Sequence, residues 1–178
     1  INSATSGNWN DPATWVGGVV PRSVDDVHIV NGQSVVVNAN IARCQNLSVS
    51  GTLSYSTTTT HLLHIFGNLS INVGGAFNAF NATSGRRVYL GGNFTNAGTA
   101  NFDVGTGVAF VATGVGTLFW VGGEPATFTN TGTITNGRIP HIYHANSGGV
   151  TYMNAVSISR YVGLHNGVVN PNGMLTVG

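Results

Sequence analysis

Apolar and polar residues alternate along this chain in short runs of three to five, and almost every run is followed by Gly, Asn or Pro. Val27 and Ile29, then Val35 and Val37, form two such runs on either side of the turn pair Asn31-Gly32. Asn46-Leu47-Ser48-Val49 and Gly51-Thr52-Leu53-Ser54-Tyr55 continue the pattern. Alternation with period two predicts half-buried strands, and the punctuation predicts frequent turns. The pattern also recurs. Gly67-Asn68-Leu69-Ser70 returns as Gly92-Asn93-Phe94-Thr95 after 25 residues, and Gly75-Ala76-Phe77 returns less closely at Gly98 after 23. Later echoes are Thr131 to Asn136, Asn166 to Asn170 and Asn172 to Val177. Spacing in the low twenties predicts a solenoid, in which each strand pairs with its counterpart one coil away.

The rival architecture is a β-sandwich. Asn-Gly pairs at 31, 136, 166 and 172 are the strongest short hairpin signal and argue for antiparallel pairing. Solenoid corners need the same residues, because both tolerate positive φ, and several of these pairs lack alternation on both sides. The prediction is therefore an all-β, right-handed parallel β-helix of seven or eight coils. Residues 1–26 form an irregular N-terminal cap that leads into the first coil, and 27–178 form the coils of the same single domain. Trp9 and Trp15, set among Gly, Asn and Pro, are expected to fold as a lid over one apolar end, with Pro21 and Asp25 completing the cap.

Composition narrows the class. The 178 residues are 42% hydrophobic and only 6% charged, far below the roughly 25% charge of ordinary soluble domains. All six basic residues are arginine and Glu124 is the one glutamate, so the surface must be Asn, Thr, Ser and Gly, which are poor helix formers. Almost no α-helix is expected. A net charge of +1 with scattered arginines argues against nucleic acid. No apolar run has the length of about 18 residues needed to insert in a membrane. The single cysteine, Cys44, precludes an internal disulfide and reads as a small buried apolar residue. The start at Ile1, with neither Met nor a charged leader, is read as an exported chain, extracellular or on the cell surface, whose signal peptide has been removed.

The N-terminal signature Gly7-Asn8-Trp9-Asn10-Asp11-Pro12-Ala13-Thr14-Trp15-Val16-Gly17-Gly18, followed by Val20-Pro21, Asp25-Asp26-Val27-His28-Ile29 and Gly32-Gln33-Ser34-Val35-Val36-Val37, resembles the start of repetitive β-helical domains in large secreted surface proteins best known from Bacteroidetes, close to the G8 domain family. The coils from Gly51 to Phe77 and from Val150 to Gly178 resemble later repeats of those proteins. The resemblance covers nearly the whole chain and implies a β-helical fold and an adhesin-like role.

Candidate chemistry is sparse. His61 and His64, and His141 and His144, form two His-x-x-His pairs. Residues three apart on a strand face opposite ways, so neither pair is expected to hold zinc, and partly exposed corner positions are expected for both. Asn8, Asp11 and Asp25 are weak candidates for an oxygen site that would take calcium; Asp11 as a turn-former before Pro12, and Asp25 as an acceptor for lid N–H groups, are preferred. The acids Asp11, Asp25, Asp26, Asp103 and Glu124 form no readable cluster for hydrolysis or lyase chemistry. No Gly-x-Ser-x-Gly elbow is present, and no cofactor is expected. Phe110, Phe119, Trp120, Tyr143 and Tyr152 are candidates for an exposed strip that stacks on sugars, Trp120 and Tyr143 above all, although core packing is the preferred reading. In Thr117 to Val121, alternation sends Leu118 and Trp120 to one face and Phe119 to the other. The sequons at Asn46, Asn68, Asn81 and Asn93 are read as accidents of an Asn- and Thr-rich chain.

The expected function is a non-catalytic extracellular structural or adhesin module. Met174 to Gly178 reads as a strand in mid-stack, so the module is expected to be a β-helical stalk segment of a longer cell-surface or secreted protein, with a subunit that stacks on copies of itself into a fibre as the alternative. A glycan-binding module is the remaining alternative.

Overall fold

The alternation of the sequence becomes inside and outside in a stack of parallel strands. The computed structural model describes residues 1–57, 61–79, 86–102 and 116–177. Their strands form three sheets through which the chain passes in rotation. The first sheet contains Val27–Ile29, Leu47–Val49, Leu69–Ile71, Phe94–Asn96, Ala126–Asn130, Val150–Tyr152 and Val169–Asn170. The second contains Gly7–Asn8, Ser34–Val37, Thr52–Tyr55, Ala76–Asn78, Thr99–Asn101 and Thr133–Ile134. The third contains Ile41–Cys44, Leu62–Ile65, Arg86–Leu90, Gly116–Trp120, Arg138–His144, Val156–Leu164 and Leu175–Val177. The fold is all-β with three parallel sheets, consistent with a β-solenoid. Among the described residues there is no α-helix, only the 3-10 turns Pro12–Thr14 and Thr135–Gly137.

The recurrences read from the sequence are the coil register itself. Leu69 pairs with Phe94 and Ala76 with Thr99, which are the 25- and 23-residue repeats. The rival sandwich needed antiparallel ladders, yet the strands described here pair in parallel, and the one antiparallel contact is an isolated bridge between Ser3 and Trp15. The Asn-Gly pairs are corners. Gly32, Gly137, Gly167 and Gly173 all have positive φ, as do Asn136 and Asn172, so these residues turn the chain from one sheet to the next rather than back on itself.

Inward side chains of all three sheets meet in one apolar column. Phe94 stacks on Phe128 at 5.0 Å with the rings 3° apart, and Phe128 continues to Tyr152 at 5.2 Å. Cys44 is buried in this column as a free thiol whose pKa is pushed up by burial and, secondarily, by Asp26.

A polar ladder runs along a corner beside that column. Asn46 Oδ1 accepts the Asn68 N–H, Asn68 Oδ1 accepts the Asn93 N–H, and Asn93 Oδ1 accepts the Thr127 N–H, each at 2.8 Å. Asp26 begins the series by accepting the Asn46 side-chain amide at 2.7 Å. The glycine that precedes Asn68 and Asn93 has a steric reason: a Cβ at Gly67 would overlap Asn46 Oδ1, and one at Gly92 would overlap Asn68 Oδ1. Three of the sequon asparagines are thus coil-to-coil acceptors, and Asn81 lies outside the described residues. Asn68→Ala is expected to cost about 1 kcal/mol, the net value of one such bond. Asn68→Asp, which keeps the acceptor, should recover most of that loss in denaturant melts.

Trp9 and Trp15 are both buried, meet edge to face at 5.1 Å, and are tied by the Trp15 indole N–H donating to the Trp9 carbonyl at 2.8 Å. Pro21 is buried within the cap. The lid is also part of the sheets, since Gly7–Asn8 pairs with Val35 and Val36, and Asn2 bridges to His28.

Candidate functional site

The third sheet turns alternate residues outward, and register places them in columns. One column reads Arg43, His64, Tyr89, Phe119, Tyr143 and Gly163 from coil to coil. The column beside it reads Ile41, Leu62, Arg87, Thr117, His141 and Tyr161. A register shift after Ile139 sets Tyr161 against the end of the first column. The result is a continuous outward row of rings. Centroids are 5.8 Å apart for His64–Tyr89, 4.7 Å for Tyr89–Phe119, 4.6 Å for Phe119–Tyr143 and 5.0 Å for Tyr143–Tyr161. Phe66 extends the row by stacking on His64 at 4.0 Å. Gly163 makes room for its far end: a Cβ there would overlap the Tyr143 ring and come within 2.9 Å of Tyr161 Cε1.

What this row can do follows from ring orientation. Tyr89 and Phe119 are 6° from parallel, and Phe119 and Tyr143 are 12°, so the π-faces of the middle rings are covered by one another. A sugar stacks on an open face, and the middle of the row offers edges and phenol hydroxyls instead. Only the ends are open, with Phe66 at 42% and Tyr161 at 48% exposure. Burial lowers the pKa of His64, with Arg43 adding to the effect, and burial lowers that of His141, with Arg160 adding. Near neutral pH both imidazoles therefore favour the neutral form, and the charge on this face comes from arginine.

The two residues singled out for glycan stacking part company here. Tyr143 stands in the outward row, but Phe119 and Tyr161 cover its two sides. Trp120 is fully buried, donates its indole N–H to the Gly92 carbonyl at 3.0 Å, and lies parallel to His144 at 5.5 Å. Trp120 is therefore a core residue and has no surface on which a sugar could stack; alternation had already placed it opposite the outward Phe119. Tyr152 is buried as well, and Phe110 lies outside the described residues.

The histidine pairs divide as strand geometry requires. His64 and His141 are half-buried on the outer face, whereas His61 and His144 are buried, which corrects the expectation of exposed corners for these two. His61 Nδ1 lies 2.8 Å from the Ala39 carbonyl. His144 Nε2 lies 3.1 Å from the Tyr152 hydroxyl, and burial holds its pKa down at about 4. Of the proposed calcium ligands, Asp11 accepts the Ala13 N–H at 3.0 Å and Asp25 the Arg22 N–H at 2.7 Å. The Asn8 carbonyl accepts the Thr14 hydroxyl at 2.8 Å. Their groups serve local turns, and among the described residues no three His, Cys, Asp or Glu side chains gather as a metal site would need. Asp103 lies outside the described residues.

Sequence reasoning missed the aromatic row as a unit. Phe119 and Tyr143 were visible singly, but coils of 30 and 24 residues, set by Arg87 pairing with Thr117 and Thr117 with His141, separate its members by unequal distances. The model for the family described as the G8 domain matches residues 14–132. No curated protein and no solved structure matches the chain.

Proposed function

The chain belongs to the G8 domain family, and from that premise we propose that it is a non-catalytic extracellular structural module, a right-handed parallel β-helix that serves as a stalk or adhesin segment of a large secreted or cell-surface protein. Right-handedness is argued from the near-universal hand of parallel crossovers. The observation that carries the structural reading is the outward aromatic row, whose rings stack on one another at 4.6 and 4.7 Å instead of presenting their faces. The inner phenylalanine stack and the corner asparagine ladder run along the same axis. All three sets of contacts join one coil to the next, which suits a rod that must resist bending and fraying. Among the described residues no three His, Cys, Asp or Glu side chains gather, and a catalytic reading would have to rest on fold analogy alone.

Phe119→Ala removes two ring pairs and is expected to cost about 1–3 kcal/mol, from 0.5–1.5 for each pair, measured by chemical denaturation. Tyr161→Ala removes one tilted pair and should cost less. An antibody to this chain should stain intact cells of its source; staining only after permeabilisation would sink the extracellular assignment. Reducing-end and unsaturated-product assays over pectic, alginate and other glycan substrates should stay blank, and one clear product would overturn the non-catalytic reading. Glycan binding is the second reading, favoured by the exposed rings of Phe66 and Tyr161 at the ends of the row. A glycan array on which Tyr161→Ala abolishes a signal that Phe119→Ala retains would decide for it.

A further inference from the structure

The N-terminal cap covers two sheet edges and leaves the third open. At this end of the stack the second sheet terminates in Gly7–Asn8, and the end strand of the first sheet, Val27–Ile29, is bridged by Asn2. The third sheet ends in Ile41–Cys44, whose only ladder among the described residues is with Leu62–Ile65. In a parallel ladder, alternate residues direct their N–H and C=O to opposite neighbours. The Asn40 and Cys44 carbonyls accept from Leu62 and Phe66 on the inner side, so Ile41 and Arg43 direct theirs to the open edge. At one end of this edge the next residue of that set, Gln45, is already satisfied, donating to the Asp25 carbonyl at 2.7 Å.

Beside that edge lies a cleft of about 220 Å³, walled by Ile41 and Arg43 on one side and by Val20, Pro21 and Arg22 of the lid on the other. Ile41 is 43% exposed. Both arginines are exposed, and neither guanidinium has a hydrogen-bond or ion-pair partner among the described residues. No acidic side chain lines the cleft; of the two acids nearest in sequence, Asp11 accepts the Ala13 N–H and Asp25 the Arg22 N–H. Trp9, on the floor, is 1% exposed, so no open ring is present for a sugar. The cleft combines unpaired backbone groups, an apolar strip and two free guanidinium groups.

We propose that this cleft binds an extended acidic segment of a partner protein, which adds as a strand to the free edge at Ile41–Cys44 and sets its carboxylates against Arg22 and Arg43. Main-chain pairing supplies the register and the arginines select the charge. The binding mode is independent of the structural reading given above, and either can fail without the other.

Titration of the 15N-labelled protein with the peptide acetyl-Val-Glu-Val-Glu-Val-amide should shift the amide resonances of Ile41 and Arg43 and slow their hydrogen exchange. The lysine counterpart of that peptide should leave them unmoved. Arg22→Ala with Arg43→Ala, both changes at exposed side chains, should weaken the glutamate peptide by roughly tenfold or more, the scale of charge-assisted bonds lost. Arg43→Glu should reverse the preference toward the lysine peptide. Unmoved Ile41 and Arg43 amides with the glutamate peptide, equal binding of both peptides, or binding that survives loss of both arginines would each overturn the proposal.

Discussion

Trp15→Ala is expected to destabilise the protein by about 3–5 kcal/mol, the range for truncating a large buried aromatic. Trp15 is 2% exposed, packs edge to face on Trp9, and donates its indole N–H to the Trp9 carbonyl. The substitution removes the ring, leaves a cavity at the end of the apolar column, and orphans a buried carbonyl. Its backbone is committed too, since Trp15 bridges Ser3 and its neighbour Val16 donates to the Asn2 carbonyl. Loosening here should propagate to the strand Gly7–Asn8 and expose the first coil. Denaturant unfolding measures the loss, and hydrogen exchange should show it concentrated in residues 1–37. A variant that melts within a degree or two of wild type would show that the lid does not close the stack.

The second large effect is acid sensitivity from His144. Its ring is 2% exposed, lies flat against Trp120, and meets the Tyr152 hydroxyl. Burial lowers its pKa from 6.5 to about 4, so the folded protein holds the imidazole neutral where the unfolded chain protonates it. The contribution is complete above pH 6.5 and is lost as pH falls from there toward 4. At about 1.4 kcal/mol per pH unit, the gap corresponds to a loss of about 3 kcal/mol. His64 and His141 shift in the same direction but are half-exposed and should contribute less. Stability measured from pH 7.5 to 4 should decline in the wild type and decline much less in His144→Phe, which cannot protonate. Equal slopes for the two proteins would place the acid sensitivity elsewhere.

The parts of this molecule that were legible in the sequence are those governed by local rules. Val27, Ile29, Val35 and Val37 alternate because their strands have one buried face, and all four are buried. Gly67 and Gly92 recur because each must clear the asparagine side chain one coil below. The Asn-Gly pairs were ambiguous between hairpin and corner, since both demand positive φ, and the coil recurrence broke the tie correctly. What stayed hidden depends on register between coils of unequal length. Leu69 to Phe94 is 25 residues and Phe94 to Phe128 is 34, so neither the aromatic row nor the asparagine ladder has a fixed period to detect. Asn46, Asn68 and Asn93 consequently looked like chance sequons. His144 looked like half of a corner pair because nothing local reveals that Trp120 and Tyr152 enclose it. The open edge at Ile41 is likewise a property of sheet order, which no single stretch of sequence contains.

The regular parallel stack underlies each of these arguments, and pulsed electron spin resonance measures it most directly. Spin labels placed pairwise on the exposed column of the third sheet, at Ile41 with Thr117 and at Ile41 with Tyr161, span three and five strand steps. At about 4.8 Å per step, the backbone separations are about 14 and 24 Å. Buried Cys44 should remain unlabelled in the folded protein. A regular parallel stack gives two narrow distance distributions, the second longer than the first by about 10 Å. Broad distributions, or a second distance no longer than the first, would contradict the stack.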